Sequence, residues 1–367
     1  MFELKPTERL LLGPGPSNPP YRVLRALATP PVGHLDPEFA AIQEETCALL
    51  RRTFQTANRL TFPVSGTGSA GMEAALVNLL EPGDTLVVGI AGLFGQRMRE
   101  VATRAGAQVV AVEAPWGQPV DQDELIAALR RHPQAKACAL VHGETSTGVL
   151  QPLAQVGAYL RGTPTLFVVD TVTSLGGEEV LVDQWGIDVC YSGTQKCLNV
   201  PPGLAPITFS HRALEVIRSR RSKVQSWYLD VTLLETYWGQ QRLYHHTAPV
   251  NMIYALYEGL RIVHEEGLAE RVARHRAAAG HLWRGLAELG FGFLAPEALR
   301  LPPLTAALPP TGWDVEGVRK TLLLEYDLEV GGGVGPLAGK LWRIGLMGQN
   351  ACVQKVAVLL RALADFV

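Results

Sequence analysis

The sequence predicts an α/β protein: a large doubly wound, mostly parallel sheet followed by a smaller α+β unit. Three observations predict it. Between about residues 60 and 210, seven short apolar runs alternate with stretches of helical spacing, the signature of repeated βαβ units. Beyond Asn251 the texture changes to a long helical region and then to short apolar segments with helices between them. At 367 residues the chain is long for one core, so two lobes are expected. The expected units are an arm over 1–20, a large domain over 21–251, and a connecting helix with a small domain over 252–367.

The elements follow in order. Leu11-Leu12-Gly13-Pro14-Gly15-Pro16-Ser17-Asn18-Pro19-Pro20 is too rich in Pro and Gly for regular helix or central strand, and reads as an arm. Asp36–Phe54 has helical spacing (Phe39, Ile42, Cys47, Leu50), with Asp36 as cap and Pro37 in the first turn. The strand candidates are Leu60–Pro63, Thr85–Ile90, Gln108–Val112, Ala137–Val141, Thr165–Val169, Ile187–Tyr191 and Leu204–Phe209. Helix candidates between them include Gly71–Leu80, Phe94–Ala105 and Asp121–Arg131. The C-terminal unit carries a helical region over roughly Met252–Leu289 and apolar segments near Thr305–Leu308, Leu328–Val330 and Leu341–Ile344. The helices Val315–Leu324 and Ala351–Phe366 flank these segments.

Composition narrows the function. Hydrophobic residues make up 47% and charged residues 19%, which supports large buried cores and excludes disorder. A net charge of -2 gives no electrostatic basis for nucleic-acid or membrane binding. The basic stretch Arg218-Ser219-Arg220-Arg221-Ser222-Lys223 reads as a solvated helix end. Five scattered cysteines, with no Cys-x-x-Cys pair, fit a reducing, cytoplasmic setting. The Met1-Phe2-Glu3-Leu4-Lys5-Pro6 start lacks secretory character and no run reaches membrane-span length. No Cys/His group has zinc spacing. The adjacent His245 and His246 would face opposite ways on a strand, so no metal site is expected.

Several apparent strands end in polar chemistry, where open α/β sheets place their ligands. Ala137–Val141 runs into His142-Gly143-Glu144-Thr145-Ser146-Thr147-Gly148, Leu166–Val169 into Asp170, and Ile187–Tyr191 into Ser192-Gly193-Thr194-Gln195-Lys196. Gly66-Thr67-Gly68-Ser69-Ala70-Gly71 is a G-x-G-x-x-G between strand and helix. A dinucleotide site would also need an acid closing the second strand; here that strand runs into Ala91-Gly92-Leu93. The same backbone serves any phosphate, with helix N–H groups joined by the Thr67 and Ser69 hydroxyls. A buried acid at Asp170 is costly unless paired; it either caps the following turn or bonds a cationic ring N–H. Lys196 taken alone is an ordinary surface lysine. Beside Asp170 and a phosphate cup it fits pyridoxal phosphate, which needs an amine for a Schiff base and an acid for its ring nitrogen. Phe94 can stack on a planar ring or serve as core. Arg343, in the strand-like Leu341-Trp342-Arg343-Ile344, is either half of an ion pair or a carboxylate fork.

These residues together resemble the class V, fold-type I pyridoxal phosphate enzymes, specifically the alanine–glyoxylate and serine–pyruvate aminotransferases. The likeness runs nearly end to end. It includes Leu12–Asn18, Ser65–Gly68, Glu81-Pro82-Gly83-Asp84, Gly95-Gln96-Arg97, His142–Val149, Ser192–Lys196, Tyr244-His245-His246-Thr247 and Arg343-Ile344-Gly345. The resemblance implies Lys196 as the Schiff-base lysine and Asp170 as the ring-nitrogen partner. It puts Phe94 on the ring face, Thr67, Gly68, Ser69 and Gln195 at the phosphate, and Thr145 at the ring substituents. Arg343 would clamp the substrate carboxylate, and the arm from Gly15 to Asn18 would line the pocket. Tyr244 and Thr247 would reach the neighbouring subunit's cofactor, making a homodimer. Two positions depart from the alanine–glyoxylate pattern, which often has Trp at Phe94 and His at Ser69. The expected reaction is transamination of alanine or serine with glyoxylate or pyruvate. The alternatives are a ureidoglycine or 3-hydroxykynurenine donor, a dinucleotide-binding oxidoreductase, and a silent scaffold.

Overall fold

The computed structural model describes residues 3–239 and 241–366; the outermost residues of the expected arm and small domain lie outside them. All seven expected strands form: β1 (Leu60–Ser65), β2 (Thr85–Ile90), β3 (Gln108–Glu113), β4 (Ala137–Val141), β5 (Leu166–Asp170), β6 (Val189–Tyr191) and β7 (Leu204–Phe209). They make one sheet in the order β1-β7-β6-β5-β4-β2-β3. β2, β3, β4, β5 and β6 pair in parallel. β7 is antiparallel to both β6 and β1. Two reversals cancel, so β1 points the same way as β6. The C-terminal ends of β1, β2, β4, β5 and β6 therefore share one edge of the sheet.

Helices cover both faces, as the buried, near-continuous apolar strands require. Every residue of β2, β4, β5 and β7 is buried. The helix Pro37–Phe54 begins as its sequence dictates: the Asp36 carboxylate accepts from the Glu38 amide at 2.8 Å, with Pro37 at the first position. Its buried stripe includes Phe39, Cys47, Leu50 and Phe54. Asp121 caps Gln122–Arg131 in the same manner, accepting from the Asp123 and Glu124 amides. Helix Gly68–Leu79 starts three residues earlier than its apolar spacing indicates, inside the glycine-rich loop itself. No helix among the described residues is long and apolar enough to cross a membrane.

A second core gathers Leu282, Leu286, Phe291, Leu328, Trp342, Ile344, Val356, Leu359 and Leu363. It lies against an antiparallel sheet of Gly292–Phe293, Leu304–Leu308, Trp342–Gly345 and Gly331–Gly332. The long helical region is two helices, Val250–Glu266 and Leu268–Glu288, because Gly267 takes φ 89° between them. The arm is also more ordered than its composition indicates. Leu10–Leu11 pairs in parallel with Leu328–Glu329, and Leu12 is fully buried in the second core. The arm thus crosses from that core to the sheet edge.

Helix Ala154–Leu160 packs closely against its surroundings at Gly157, where an added Cβ would overlap the Trp185 carbonyl and lie 3.6 Å from the Phe167 ring. We expect Gly157→Ala to destabilise the fold by about 1–3 kcal/mol through overpacking. A thermal melt reads this, and a melting temperature equal to wild type would contradict the packing described.

Candidate active site

The shared edge collects the turns that follow five strands. After β1, the chain enters Gly66-Thr67 and helix Gly68–Leu79. Thr67 is the N-cap, yet its hydroxyl makes no cap hydrogen bond and stands exposed. Ser69, in the first turn, is exposed and accepts from Arg97 at 3.2 Å. Gly68 is buried, and a Cβ there would lie 2.8 Å from Val172. A helix start whose first amides lack internal partners, with exposed hydroxyls beside them, can receive an anion. Gln195 closes the opposite side, and its buried Oε1 has no hydrogen-bond partner among the described residues.

After β2 comes Gly92 and helix Leu93–Arg104, which carries Phe94. The Arg97 guanidinium lies 4.9 Å from the Phe94 ring centroid, covering one face of the ring by a cation–π contact. After β4 come Glu144 and Thr145, both buried. The His142 amide donates to the Asp170 carbonyl at 2.9 Å, which ties this loop to the end of β5.

Asp170 is the last residue of β5 and is 2% exposed. Its carboxylate accepts from the Val172 amide at 2.8 Å. The Tyr191 hydroxyl lies beside it but outside good hydrogen-bond geometry. Burial pushes the acid up to about 7; the Val172 amide, Tyr191 and Lys196 only partly offset this. A buried carboxylate with one firm donor has capacity for another, so a protonated ring nitrogen would complete it.

Lys196 follows β6. Its ammonium donates to the Pro14 carbonyl of the arm. Burial, and then the nearby Arg343 charge, pull its amine down to about 8. The arm is pinned around it. Ser17 donates its amide to the Gln195 carbonyl at 3.2 Å and its hydroxyl to the Lys196 carbonyl at 3.2 Å. Arg271, nearly fully buried, donates to the Cys197 carbonyl at 2.7 Å and the Gly176 carbonyl at 2.9 Å, fixing the turn from beneath.

Arg343 comes from the second core. Trp342 and Ile344 are buried on one face of its strand, so alternation turns Arg343 to the other face. Its Nε donates to the Gly332 carbonyl at 2.8 Å. Among the described residues no carboxylate lies within ion-pair distance, and its two terminal nitrogens have no acceptor. Burial lowers its pKa, and the Glu144 charge opposes this.

Asn18, Tyr244 and Thr247 complete the expected set. Asn18 fastens the arm: its oxygen accepts from the Leu11 amide and Asn350, and its nitrogen donates to the Arg9 carbonyl, all within 2.8–2.9 Å. The arm meets Lys196 itself through Gly15, the Pro14 carbonyl and the Ser17 hydroxyl. Tyr244 and Thr247 are exposed. Their segment is anchored by His246, whose Nε2 lies 3.0 Å from the Ser65 Oγ just before the glycine-rich loop. Glu144 and Arg271 went unassigned from sequence. An acid inside a Gly/Ser/Thr loop was a visible signal; its partners, fifty residues distant, were not.

These features define an aminotransferase-like site on a fold-type I scaffold. The class-V aminotransferase family matches residues 17–312. The alanine–glyoxylate aminotransferase of Oryctolagus cuniculus is 44% identical over 97% of this chain and 92% of its own length. The (S)-ureidoglycine–glyoxylate transaminase of Bacillus subtilis is 41% identical over 97% of this chain and 89% of its own. The solved alanine–glyoxylate aminotransferase of Nostoc sp. is 49% identical, with a TM-score of 0.96 over 99% of this chain and 97% of that one. The chain belongs to the class-V aminotransferase family and is an aminotransferase; the glycine-rich loop is not a dinucleotide fingerprint.

The lowered Lys196 pKa has a direct test. Reductive methylation of the cofactor-free protein should label Lys196 half-maximally near pH 8, since only the deprotonated amine reacts. A midpoint near the ordinary value of about 10.4 would show that burial does not act on this amine.

Proposed function

We propose that this chain is a pyridoxal phosphate-dependent transaminase of a small L-amino acid, alanine or serine, with glyoxylate or pyruvate as acceptor. The observation that carries the reading is the convergence on one edge of a depressed-pKa lysine, a buried acid and an arginine whose terminal nitrogens are unpaired. The residues fit the cofactor. Thr67, Gly68, Ser69 and Gln195 would hold its phosphate, Phe94 its ring face, Thr145 its substituents and Asp170 its ring nitrogen. When bound, pyridoxal phosphate supplies an aldehyde for the substrate amine and a sink for the electrons left at Cα.

The chain's own groups do the rest. Arg343 presents a planar fork to the substrate carboxylate and so sets the orientation of the Cα–H bond. Lys196, with a pKa near pH 8, would take the Cα proton as a general base and then, as a general acid, deliver it to the carbon that was the cofactor's aldehyde. Asp170 holds the proton on the ring nitrogen. Gly15 and the Pro14 carbonyl crowd the amine, which favours a small substrate side chain.

We further propose a homodimer in which Tyr244 and Thr247 reach the partner's phosphate cup. Support comes from exposed apolar residues near those positions: Leu35 (58% exposed), Trp227 (63%), Leu243 (57%) and Tyr244 (63%). Trp227 stacks on His245 at 4.3 Å, and Tyr244 packs at a tilt against His34 at 5.6 Å, beside Leu35. We place the enzyme in the cytoplasm, in keeping with its five free cysteines. A second donor, ureidoglycine, has the support of the similarly related Bacillus subtilis enzyme and its solved structure, with a TM-score of 0.97.

A yellow visible absorption band that bleaches on adding L-alanine is expected. Lys196→Ala should lose the lysine-bound band and all measurable turnover, and Asp170→Asn should slow turnover on the order of 10²–10³-fold. Normal turnover in Lys196→Ala would sink the reading. Against a donor panel with glyoxylate, alanine or serine should give the highest kcat/KM, and ureidoglycine leading would select the second donor. Arg343→Lys should raise the donor KM by about tenfold or more, because an ammonium lacks the fork.

A further inference from the structure

Glu144 makes four contacts to backbone and hydroxyl donors from a position 1% exposed. Its Oε2 accepts from the amides of Phe94 at 3.1 Å and Gly95 at 3.4 Å. Its Oε1 accepts from the Ser146 amide at 3.1 Å and the Ser146 hydroxyl at 2.5 Å. The Ser146 oxygen in turn accepts from the Leu93 amide at 2.9 Å. Leu93, Phe94 and Gly95 are the first three residues of helix Leu93–Arg104, and a helix leaves those N–H groups without internal partners. The residue before them, Gly92, has no side chain to cap them. A Cβ there would lie 2.7 Å from the Glu144 side chain, so glycine makes room for the cap. The helix start is therefore capped in trans, by two residues of the loop after β4.

The residue between those two is Thr145, and the second residue of the capped turn is Phe94. We infer that Glu144 is a positioning residue: with Ser146 it locks the ring-stacking Phe94 and the ring-contacting Thr145 into one rigid unit. This rests on the cofactor reading above. The bonding pattern also fixes the chemistry Glu144 must supply. All four donors point at it, so both of its oxygens must accept, which the carboxylate does and a carboxamide does not. The helix dipole and the neighbouring Arg343 oppose the cost of burying that charge. The phosphate cup lies on a different helix; among the described residues no hydrogen bond joins it to Glu144 or Ser146, and its Ser69 accepts from Arg97, past the capped turn.

The two halves of cofactor binding can thus be separated. In Glu144→Gln, the amide nitrogen must face either Ser146 or the Phe94 and Gly95 amides, whichever way it turns. Release of pyridoxal phosphate from the holoenzyme should then be at least tenfold faster, and the induced circular dichroism of the bound cofactor should fall by more than half. The affinity of the cofactor-free protein for inorganic phosphate should stay within twofold of wild type. Ser146→Ala, which trims a single hydroxyl, should shift the same readouts in the same direction by less, and carries the test if Glu144→Gln does not fold. The inference is overturned by cofactor release and dichroism unchanged in both variants. A phosphate affinity that falls in step with cofactor affinity also overturns it, because the cap would then support the whole fold and not the ring. A wild-type protein that takes up no pyridoxal phosphate overturns the underlying reading, and this inference with it.

Discussion

The site depends on the shared direction of five strands. Thr67, Phe94, Thr145, Asp170 and Lys196 are spread over some 130 residues of sequence. They meet because β1, β2, β4, β5 and β6 all end on the same edge. β7 matters for what it permits: by running antiparallel between β6 and β1, it returns β1 to the common direction and adds the glycine-rich turn at Gly66-Thr67 to that edge. Reversing any one of these strands would send its turn to the opposite side of the sheet. The backbone ladder, more than any side-chain contact, gathers the chemistry.

Electrostatics then works on groups already gathered. Lys196, Asp170, Glu144 and Arg343 are close enough to influence one another's protonation, and all are at least half removed from water. Burial drives Lys196 and Asp170 toward neutrality, down to about 8 and up to about 7. Such convergence suits groups that must exchange protons or hold a cationic partner near neutral pH. Glu144 is the exception in function: burial raises it as well, yet four donors and a helix start stabilise its charged form.

Much of this was legible in the sequence, for physical reasons. Buried parallel strands are short uninterrupted apolar runs, so all seven were found. Asp36 and Asp121 announce their helices because a short acceptor before an amphipathic run caps the chain. Asp170 and Lys196 stand out as charges where apolar segments give way, and Arg343 as a charge within one. What stayed hidden was long-range pairing. No local pattern shows that Leu12 belongs to the C-terminal core, that Asn18 is bonded to Leu11, Arg9 and Asn350, or that Glu144 caps a helix from another loop. Gly267 was readable as a residue but not as a break, because its helical surroundings masked it.

The arm has a consequence for variation in this chain. Leu12 is held in one core and Ser17 on the lysine turn, so the backbone between them has little freedom to move aside. At Gly15, φ is +94°, and a Cβ would lie 2.7 Å from Lys196 Cδ and 2.9 Å from its Nζ. Every amino acid other than glycine begins with that carbon. Codon 15 therefore has no mild missense change: whichever residue replaces glycine, its first atom arrives at the amine.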